Sequence, residues 1–248
     1  MPGIVLNTSM NRNYISAVRL REMPPEDSYL SALPVIRQLG REELSFSKPV
    51  TFFVGENGTG KSTLLEAIAV ASGFNAEGGS RDFLFSTHDS QSNLHEYLTL
   101  SRAAYPDDGF FLRAESFYNA ASYLDQTSKL DRYGGVSLHE QSHGEAFLSL
   151  IVNRFEGRGL YLLDEPEAAL SPQRLLSLLC AIDELVKRDS QFLIATHSPI
   201  LMAYPDAEIL QLSDDGIRPV AYRETEHYKL TKQFLDAPER MMKLLLES

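Results

Sequence analysis

Apolar and polar positions along the chain follow two different periods. PVTFFV (49–54), GLYLLD (159–164) and QFLIAT (191–196) are short runs dominated by apolar residues, which is typical of strands buried on both faces of a sheet. STLLEAIAVASG (62–73) and PQRLLSLLCAIDELVKR (172–188) instead repeat apolar residues at helical spacing. This alternation predicts an α/β fold whose mostly parallel sheet is covered by helices.

Weaker patterns fill the rest of the predicted order. We expect strands at YISAVRL (14–20) and GFFLRAE (109–115), helices at FYNAASYLDQ (117–126) and GEAFLSLIVNRF (144–155), and a hairpin in which EILQL (208–212) and IRPVAY (217–222) flank the turn SDDG (213–216). Two short helical patterns close the chain. No internal repeat or low-complexity tract interrupts this order, so we expect a single domain over residues 1–248.

Composition limits the classes of function. The chain has 248 residues, of which 43% are hydrophobic, and this is enough for one large α/β core. A formal net charge of -11 argues against nonspecific nucleic-acid binding, although a local basic patch stays open. Cys180 is the only cysteine and lies in an apolar helical pattern, which predicts core packing, no internal disulfide and a cytoplasmic setting.

Membrane insertion is not expected from the sequence. The first twenty residues mix polar residues with short apolar pairs and contain no signal-peptide pattern. Nowhere does the chain carry the run of about 18 apolar residues that a spanning helix needs. We therefore expect that the chain itself does not enter a membrane.

A glycine-rich segment follows the strand PVTFFV directly. GENGTGKS (55–62) matches G-x-x-x-x-G-K-[ST], the phosphate-binding P-loop pattern. Its glycines let backbone N–H groups approach phosphate oxygens, and the helix that starts near Lys61 adds its positive dipole end. A chance glycine-rich turn is the alternative, but a strand before and a helix after the segment are the context that the motif requires. The predicted phosphate cradle comprises Gly55, Glu56, Asn57, Gly58, Thr59, Gly60, Lys61, Ser62 and Thr63.

Two adjacent carboxylates end the apolar run at 159–164. Asp164 and Glu165 would be costly to desolvate unless a cation, a proton or a hydrogen-bond donor meets them. We expect Lys61 to reach the β- and γ-phosphates, while the Ser62 hydroxyl and Asp164 hold one hydrated Mg²⁺. Glu165 is then placed to orient and deprotonate the attacking water, whereas Glu167 is interpreted as a surface or dimer-contact residue without chemistry.

The order of motifs resembles that of the ATP-binding-cassette class of ATPases, including its SMC- and RecF-like branch. After the P-loop come QSHGE (141–145), LYLLDE (160–165), EAALSP (167–172) and ATHSP (195–199), which look like the signature, Walker B, D-loop and switch-histidine segments of that class. The pair SHGEAF and DEPEAALSP is also similar to stand-alone bacterial proteins described as AAA-family ATPases. The resemblance spans nearly the whole chain and implies a P-loop NTPase fold with an ABC-type core, in which roughly residues 81–145 form the subregion that carries the signature.

The resemblance gives the signature segment a role across a dimer. In that class the segment contacts the γ-phosphate of ATP held by the other subunit, which implies that Ser142 and Gly144 bind nucleotide. Ser142 followed three residues later by Glu145 is also a capping box for the next helix, so both interpretations hold at once. Gln141, His143 and Glu145 depart from the commonest Leu-Ser-Gly-Gly-Gln form of the segment.

The resemblance also implies a switch histidine, a Q-loop glutamine and an aromatic residue that stacks on adenine. His197 follows an apolar strand and precedes Ser-Pro, so the resemblance implies the switch histidine, which hydrogen-bonds the γ-phosphate and holds the attacking water in line. For the glutamine of the Q-loop, Glu115 and Gln91 are competing candidates. Tyr14 or Tyr29 would stack on adenine, although aromatic residues on strands are more often part of a core.

The combined expectation is Mg²⁺-dependent hydrolysis of ATP to ADP and phosphate by an ATP-sandwich homodimer. Glu165, His197 and Lys61 would be its catalytic residues, with ATP and Mg²⁺ bound between the P-loop and the paired acids. Two alternatives stay open: the ATP-binding subunit of a membrane transporter, and a nucleotide-gated interaction module in DNA maintenance or defence. About 80 residues separate the P-loop from the signature, which is too few for a long coiled-coil arm. The sequence does not identify a protein partner.

Overall fold

The computed structural model describes residues 13–80, 92–114, 117 and 142–247. The strands are β1 (Ile15–Leu20), β2 (Leu44–Ser45), β3 (Val50–Val54), β4 (Leu98–Arg102), β5 (Asp108–Arg113), β6 (Gly159–Asp164), β7 (Gln191–Ala195), β8 (Glu208–Ser213) and β9 (Gly216–Pro219). The α-helices are α1 (Tyr29–Ala32), α2 (Pro34–Leu39), α3 (Lys61–Ala71), α4 (His143–Arg154), α5 (Pro172–Val186), α6 (Pro199–Met202), α7 (Glu226–Asp236) and α8 (Pro238–Leu246). Short 3-10 helices lie at Asn93–Tyr97, Pro166–Ala169 and Tyr222–Glu224.

A six-stranded sheet with the order β5-β6-β7-β3-β8-β9 organises the described residues. Its first five strands run parallel, and β9 returns antiparallel to β8 as the predicted hairpin. In the ladder Asp164 lies beside Ala195, and Ala195 lies beside Phe53. The segments that leave β3, β6 and β7 therefore emerge at one edge, where ligands bind in open parallel sheets.

Successive side chains of the central strands point into two separate hydrophobic cores, as the period of two in a strand requires. Phe52 and Tyr161 belong to the core covered by α4 and α5, whereas Phe53 and Leu162 belong to the core covered by α2 and α3. Every residue of β3 and β6 is buried. This explains why these strands are continuous apolar runs in the sequence instead of alternating ones.

A second, antiparallel sheet with the order β2-β1-β4 packs onto the core that contains Phe53. Gln191, at the start of β7, is only 1% exposed and joins the two sheets. Its side-chain amide donates to the Ile15 carbonyl at 2.8 Å and its oxygen accepts from the Ile15 N–H at 2.9 Å. These two bonds satisfy backbone groups of β1 that would otherwise be buried without partners.

A buried polar cluster fixes the outer strand β5 against β6 and α4. The Tyr161 hydroxyl donates to Asp108 Oδ2 at 2.7 Å, and Arg154 Nη1 donates to Asp108 Oδ1 at 2.8 Å. Burial raises the pKa of Asp108, but the hydrogen bonds from Tyr161 and Arg154 and the Arg154 charge outweigh it and bring this pKa below its ordinary value. The Asp108 carboxylate is therefore ionised at neutral pH, and both of its oxygens accept hydrogen bonds.

Most of the predicted elements are confirmed, with ends that differ by one or a few residues. The predicted helix at 117–126 lies outside the described residues, apart from Phe117. The prediction that Cys180 packs in the core is wrong, because its side chain is exposed. Leu178 and Ile182 of α5 are fully buried, and a residue two positions from each lies on the opposite face of the helix.

Helix length bears on the expected absence of a membrane span. Within the part of the chain that the structure describes, no helix combines the length and the apolar character that crossing a bilayer requires.

We expect Asp108→Ala to destabilise the fold by about 3 kcal/mol, because it leaves a buried hydroxyl and a guanidinium without their acceptor. Asp107→Ala is the matched control, since Asp107 pairs with Arg158 where both side chains are more than half exposed. Its effect should stay below about 0.5 kcal/mol. Urea unfolding at neutral pH measures both values, and equal losses would contradict the structural role of Asp108.

The same carboxylate gives this stability difference a pH dependence. Because the folded state lowers the pKa of Asp108 below its ordinary 3.8, the stabilisation is complete above that value. It is lost as the pH falls from 3.8 through the folded pKa. The difference between wild type and Asp108→Ala should therefore shrink in that acidic range.

Candidate functional site

The glycine-rich segment turns sharply between β3 and α3. Gly55 has φ of +144°, and a Cβ there would lie 2.2 Å from the Leu212 carbonyl oxygen. Gly60 has φ of +94°, and a Cβ there would lie 2.9 Å from Val35 Cγ1 in α2. Both positions therefore favour glycine because of their positive φ and because a side chain would collide with the Leu212 backbone at Gly55 and with the Val35 side chain at Gly60. Between them, Glu56, Asn57 and Gly58 form the exposed tip of the loop.

Lys61 is the first residue of α3, and its side chain folds back across the loop. Its ammonium donates to the Gly55 carbonyl at 2.9 Å and to the Glu56 carbonyl at 2.9 Å. The residue is only 4% exposed, and burial lowers the pKa of Lys61, against the opposite pull of Glu165, Asp164 and other nearby carboxylates. A desolvated ammonium in this position attracts an anion strongly, because little water competes for it.

Ser62 and Asp164 are in direct contact although 102 positions separate them in the sequence. The Ser62 hydroxyl donates to Asp164 Oδ1 at 2.9 Å. Arg113, at the end of β5, places its Nε 3.4 Å from Asp164 Oδ2, and its Nη1 lies 2.7 Å from Glu66 Oε2 on α3. The Ser62 hydroxyl and the Asp164 carboxylate, which we predicted to share a metal, are thus in contact. The Arg113 guanidinium contacts the second oxygen of that carboxylate.

The Asp164 carboxyl group is electrostatically strained. Burial raises the pKa of Asp164, and the carboxylates of Glu165 and Glu66 raise it further, while Arg113 and the Ser62 hydroxyl act in the opposite direction. The net shift is upward, so the charged form of Asp164 is under-compensated by its protein neighbours. A divalent cation at this position would relieve that cost, and a carboxylate with a hydroxyl oxygen is a suitable donor set for Mg²⁺.

Glu165 leaves the end of β6 in a left-handed conformation, with φ of +49°. This conformation is uncommon for a residue with a side chain, and it turns the chain into the 3-10 helix Pro166–Ala169. The Glu165 N–H still donates to the Ala195 carbonyl at 2.9 Å, which holds the residue against β7. Glu165 Oε1 lies 3.7 Å from Nε2 of His197, which lies two residues after the end of β7. The predicted base and the predicted switch histidine therefore face each other.

Glu167 has a structural role that the sequence interpretation did not give it. Its Oε1 accepts a hydrogen bond from the His197 backbone N–H, so the residue joins the turn after β6 to the turn after β7. Burial raises the pKa of Glu167, against hydrogen bonds from the His197 and Glu167 N–H groups and the Thr196 hydroxyl. Glu167 thus positions the His197 backbone, and its description as a plain surface residue does not fit.

Ser142 and Glu145 form the predicted capping box at the start of α4. Glu145 Oε2 accepts from the Ser142 N–H at 3.0 Å and from the Ser142 hydroxyl at 2.6 Å. Arg174 of α5 adds an ion pair to Glu145 at 2.9 Å. A Cβ at Gly144 would lie 2.8 Å from the Ala169 carbonyl oxygen, so this glycine is needed for packing within the chain itself.

The structure distinguishes between the two candidates for adenine stacking, whereas the Q-loop candidates lie outside the residues that it describes. Tyr14 is 8% exposed and its hydroxyl donates to the Asp189 carbonyl at 2.9 Å, which makes it a core residue instead of an adenine platform. Tyr29 is 59% exposed at the start of α1. Gln91 and Glu115, the two Q-loop candidates, lie outside the described residues, as does Gln141, and the side chain of His143 is not described.

Three residues of the site were missed by sequence reasoning. Arg113 carried a usable signal, since it lies near the end of the predicted strand 109–115, but the sequence does not state that this strand is the neighbour of the one that ends at Asp164. Glu167 was interpreted as a surface or dimer-contact residue without chemistry. His227 gave no signal at all, yet its Nε2 lies 2.9 Å from Nδ1 of His197.

Two protein-family models match the chain. A family described as "AAA domain" matches residues 35–114, which include the P-loop, Ser62 and Arg113. A second family, described as "AAA domain, putative AbiEii toxin, Type IV TA system", matches residues 129–203, which include Ser142, the paired acids and His197. The two matches meet in one site and together cover more than half of the chain. No curated protein matches the sequence.

Solved structures with a similar chain course are distant in sequence. The SMC head domain from Thermotoga maritima shares 16% identity over 84% of this chain and 100% of that chain, with a TM-score of 0.47. CbiO1 from Clostridium perfringens, part of the ABC transporter complex cbiONQ, shares 18% identity over 84% of this chain and 91% of that chain, with a TM-score of 0.45. A nucleotide-free ATP-binding cassette from an ABC transporter shares 18% identity over 79% and 89% of the two chains, with a TM-score of 0.43. Scores this low add no weight to the family models.

The family models and the chain's own geometry agree. A P-loop lies between the buried parallel strand β3 and the helix α3, and its Ser62 contacts the acid that ends β6, the second strand along in the sheet. The chain is an ATP-binding and ATP-hydrolysing P-loop enzyme in which two segments match AAA-domain family models, and the order of its motifs resembles that of the ATP-binding-cassette class.

Proposed function

We propose that the chain hydrolyses Mg²⁺-bound ATP to ADP and phosphate at the edge where β3, β6 and β7 end, and that it does so as an ATP-sandwich homodimer. The observation that carries the proposal is the 2.9 Å hydrogen bond between the Ser62 hydroxyl and Asp164 Oδ1. This contact joins the P-loop to the paired acids. Lys61 and His197 lie at the same edge, each within electrostatic reach of Glu165.

In this proposal the loop from Gly55 to Gly60 binds the phosphates through its backbone N–H groups and the N-terminus of α3. The Lys61 ammonium exchanges its loop carbonyl acceptors for β- and γ-phosphate oxygens, which carry a full negative charge. Because the ammonium is already desolvated, this exchange costs little further loss of hydration. Thr63, half-buried in the first turn of α3, borders the same anion site.

The donor set supports Mg²⁺ as the metal. The Ser62 hydroxyl and Asp164 would hold the hydrated ion, and Arg113 would keep the Asp164 carboxylate oriented toward it. When bound, the metal neutralises charge on the β- and γ-phosphate oxygens. A hard oxygen donor pair of this kind favours Mg²⁺ over soft-ligand metals.

Glu165 is the proposed general base. Its side chain is 44% exposed and lies at the mouth of the site, where a water molecule can approach the γ-phosphate. The carboxylate accepts a proton from that water as the water oxygen attacks the γ-phosphorus. The bond between the γ-phosphorus and the β–γ bridging oxygen breaks, and ADP leaves with that oxygen. His197 Nε2, 3.7 Å from Glu165 Oε1, is close enough to help align the water and to hydrogen-bond the γ-phosphate.

Dimerisation is proposed from the position of the signature segment. Ser142 is exposed at the N-terminus of α4, a twelve-residue helix whose first N–H groups can bind an anion. Its capping box with Glu145 and the Arg174 ion pair fix this helix end before any partner arrives. In the proposed dimer, Ser142 and Gly144 of one subunit complete the γ-phosphate site of the other.

A second candidate is a nucleotide-gated interaction module in defence, which the description of the second family model favours because it names a toxin of a type IV system. In such a module, binding of ATP and not turnover carries the effect. A cellular phenotype that Lys61→Ala abolishes and Glu165→Gln retains would support this candidate. A phenotype lost equally in both variants would support turnover as the active step.

We expect Lys61→Ala to lower ATP turnover by at least about 100-fold, because it removes the cation that stabilises charge on the transferred phosphoryl group. Lys187→Ala is the matched control, since Lys187 is exposed at the end of α5 and pairs only with Asp183 and Glu184 among the described residues. Its turnover should match wild type. Phosphate release under saturating ATP and Mg²⁺ measures both, and undiminished release by Lys61→Ala would refute the site.

We expect Glu165→Gln to keep ATP binding, to lose turnover by at least about 100-fold and to accumulate as an ATP-bound dimer. The amide keeps the size of the side chain but cannot take the proton of the attacking water. Glu184→Gln on the exposed face of α5 is the control. Gel filtration with light scattering, with and without ATP and Mg²⁺, measures the assembly state, and a Glu165→Gln protein that stays monomeric would remove the dimer from the proposal.

A further inference from the structure

A histidine from the C-terminal part of the chain contacts the proposed switch histidine. Nε2 of His227 lies 2.9 Å from Nδ1 of His197, and the two ring centroids are 5.0 Å apart with the planes at 59°. His197 Nε2 is buried and has no hydrogen-bond partner among the described residues. One ring nitrogen of His197 is therefore engaged by His227, and the other is left for the site.

The position of His227 is fixed by the start of α7. Thr225, the N-cap of this helix, is 1% exposed. Its hydroxyl donates to the Tyr222 carbonyl at 2.8 Å and accepts from the Tyr228 N–H at 3.3 Å. The Tyr222 and Tyr228 rings pack with centroids 4.7 Å apart. His227 thus stands in the capped first turn of α7, and the cap fixes the backbone from which its side chain contacts His197.

The charges around the pair favour one direction for the shared hydrogen bond. Burial lowers the pKa of His197 and also the pKa of His227, so both rings are neutral at neutral pH and each carries a single N–H. Glu165 faces His197, and Lys61, Glu56 and Glu226 are the other charged groups that act on one ring or both. A carboxylate only accepts, so an N–H on the His197 nitrogen that faces Glu165 is more stable than a lone pair there.

We propose that His227 is a positioning residue: its Nε2–H donates to His197 Nδ1 and so holds His197 as the tautomer with its proton on Nε2, aimed at Glu165 and the γ-phosphate. This inference rests on the proposed function of His197. The other direction of the bond would place a lone pair against the Glu165 carboxylate and the phosphate oxygens. A residue of α7, outside the sheet and its P-loop, is then part of the catalytic apparatus.

Three variants at position 227 and on the same helix test the role. His227→Leu keeps the bulk of the side chain but has no donor, and we expect it to lower kcat about 10-fold with little change in KM, as loss of an orienting partner does. His227→Gln supplies an amide N–H and should restore most of kcat. Lys232→Ala, which removes an exposed ion pair with Asp236, is the control for damage to α7 and should keep wild-type turnover. Wild-type kcat in His227→Leu would overturn the inference.

A double-mutant cycle separates positioning from independent structural effects. If His227 acts through His197, the loss in His197→Ala, about 100-fold, should not grow when His227→Leu is added. Losses that multiply would overturn the inference. If His197→Ala retains full activity, both the proposed role of His197 and the inference about His227 fail. A large loss in His197→Ala with none in His227→Leu leaves the proposed function standing and removes only the positioning role.

The tautomer itself provides a readout that does not need turnover. Imidazole ¹⁵N NMR of the wild-type protein at neutral pH should show His197 with a protonated Nε2 and an unprotonated Nδ1. In His227→Leu the His197 signals should shift toward a mixture of tautomers, and His227→Gln should restore the wild-type pattern. A His197 protonated on Nδ1 in the wild-type protein would contradict the proposed direction of the bond.

Discussion

The Asp164 carboxylate, buried at the end of a central parallel strand, is the group on which the rest of the site depends. Burial raises the free energy of its charged form. The Ser62 hydroxyl and the Arg113 guanidinium contact the carboxylate from two directions and stabilise that form. These donors leave the pKa of Asp164 raised, so the charge is only partly compensated. An under-compensated carboxylate next to a desolvated ammonium is the arrangement on which the proposed binding of a phosphate together with its metal rests.

Each component of the site comes from the end of a different strand. The P-loop follows β3, Arg113 ends β5, the paired acids follow β6 and His197 follows β7. Parallel pairing places these ends in one row, so residues far apart in sequence need no long loops to meet. The two cores on either face hold the strands rigid, and this rigidity fixes the distances between the groups that we propose to be catalytic.

Hydrogen bonds between the turns connect these separate ends. Glu167 reaches from the turn after β6 to the backbone of His197, and the Glu165 N–H reaches to β7. Arg174 and Gly144 tie the start of α4 to the segment that follows the acids. The start of α4 and the turn that contains Glu165 are therefore packed against each other within one subunit. His227 extends the same network to the C-terminal helices.

The sequence by itself determined the parts whose physics is local. The P-loop pattern, the capping box of Ser142 and the apolar runs of the buried strands all depend on neighbours a few positions away, and the strands and helices predicted from them are confirmed where the structure describes them. Only the tertiary structure decided which strands are adjacent, and hence that Arg113 braces Asp164 and that His227 meets His197. It also placed Cys180 on the solvent face of α5, because a helical apolar pattern gives the period of a helix but not the direction of each side chain. Contacts across thirty positions or more are set by the packing of whole elements, and no local pattern in the chain encodes them.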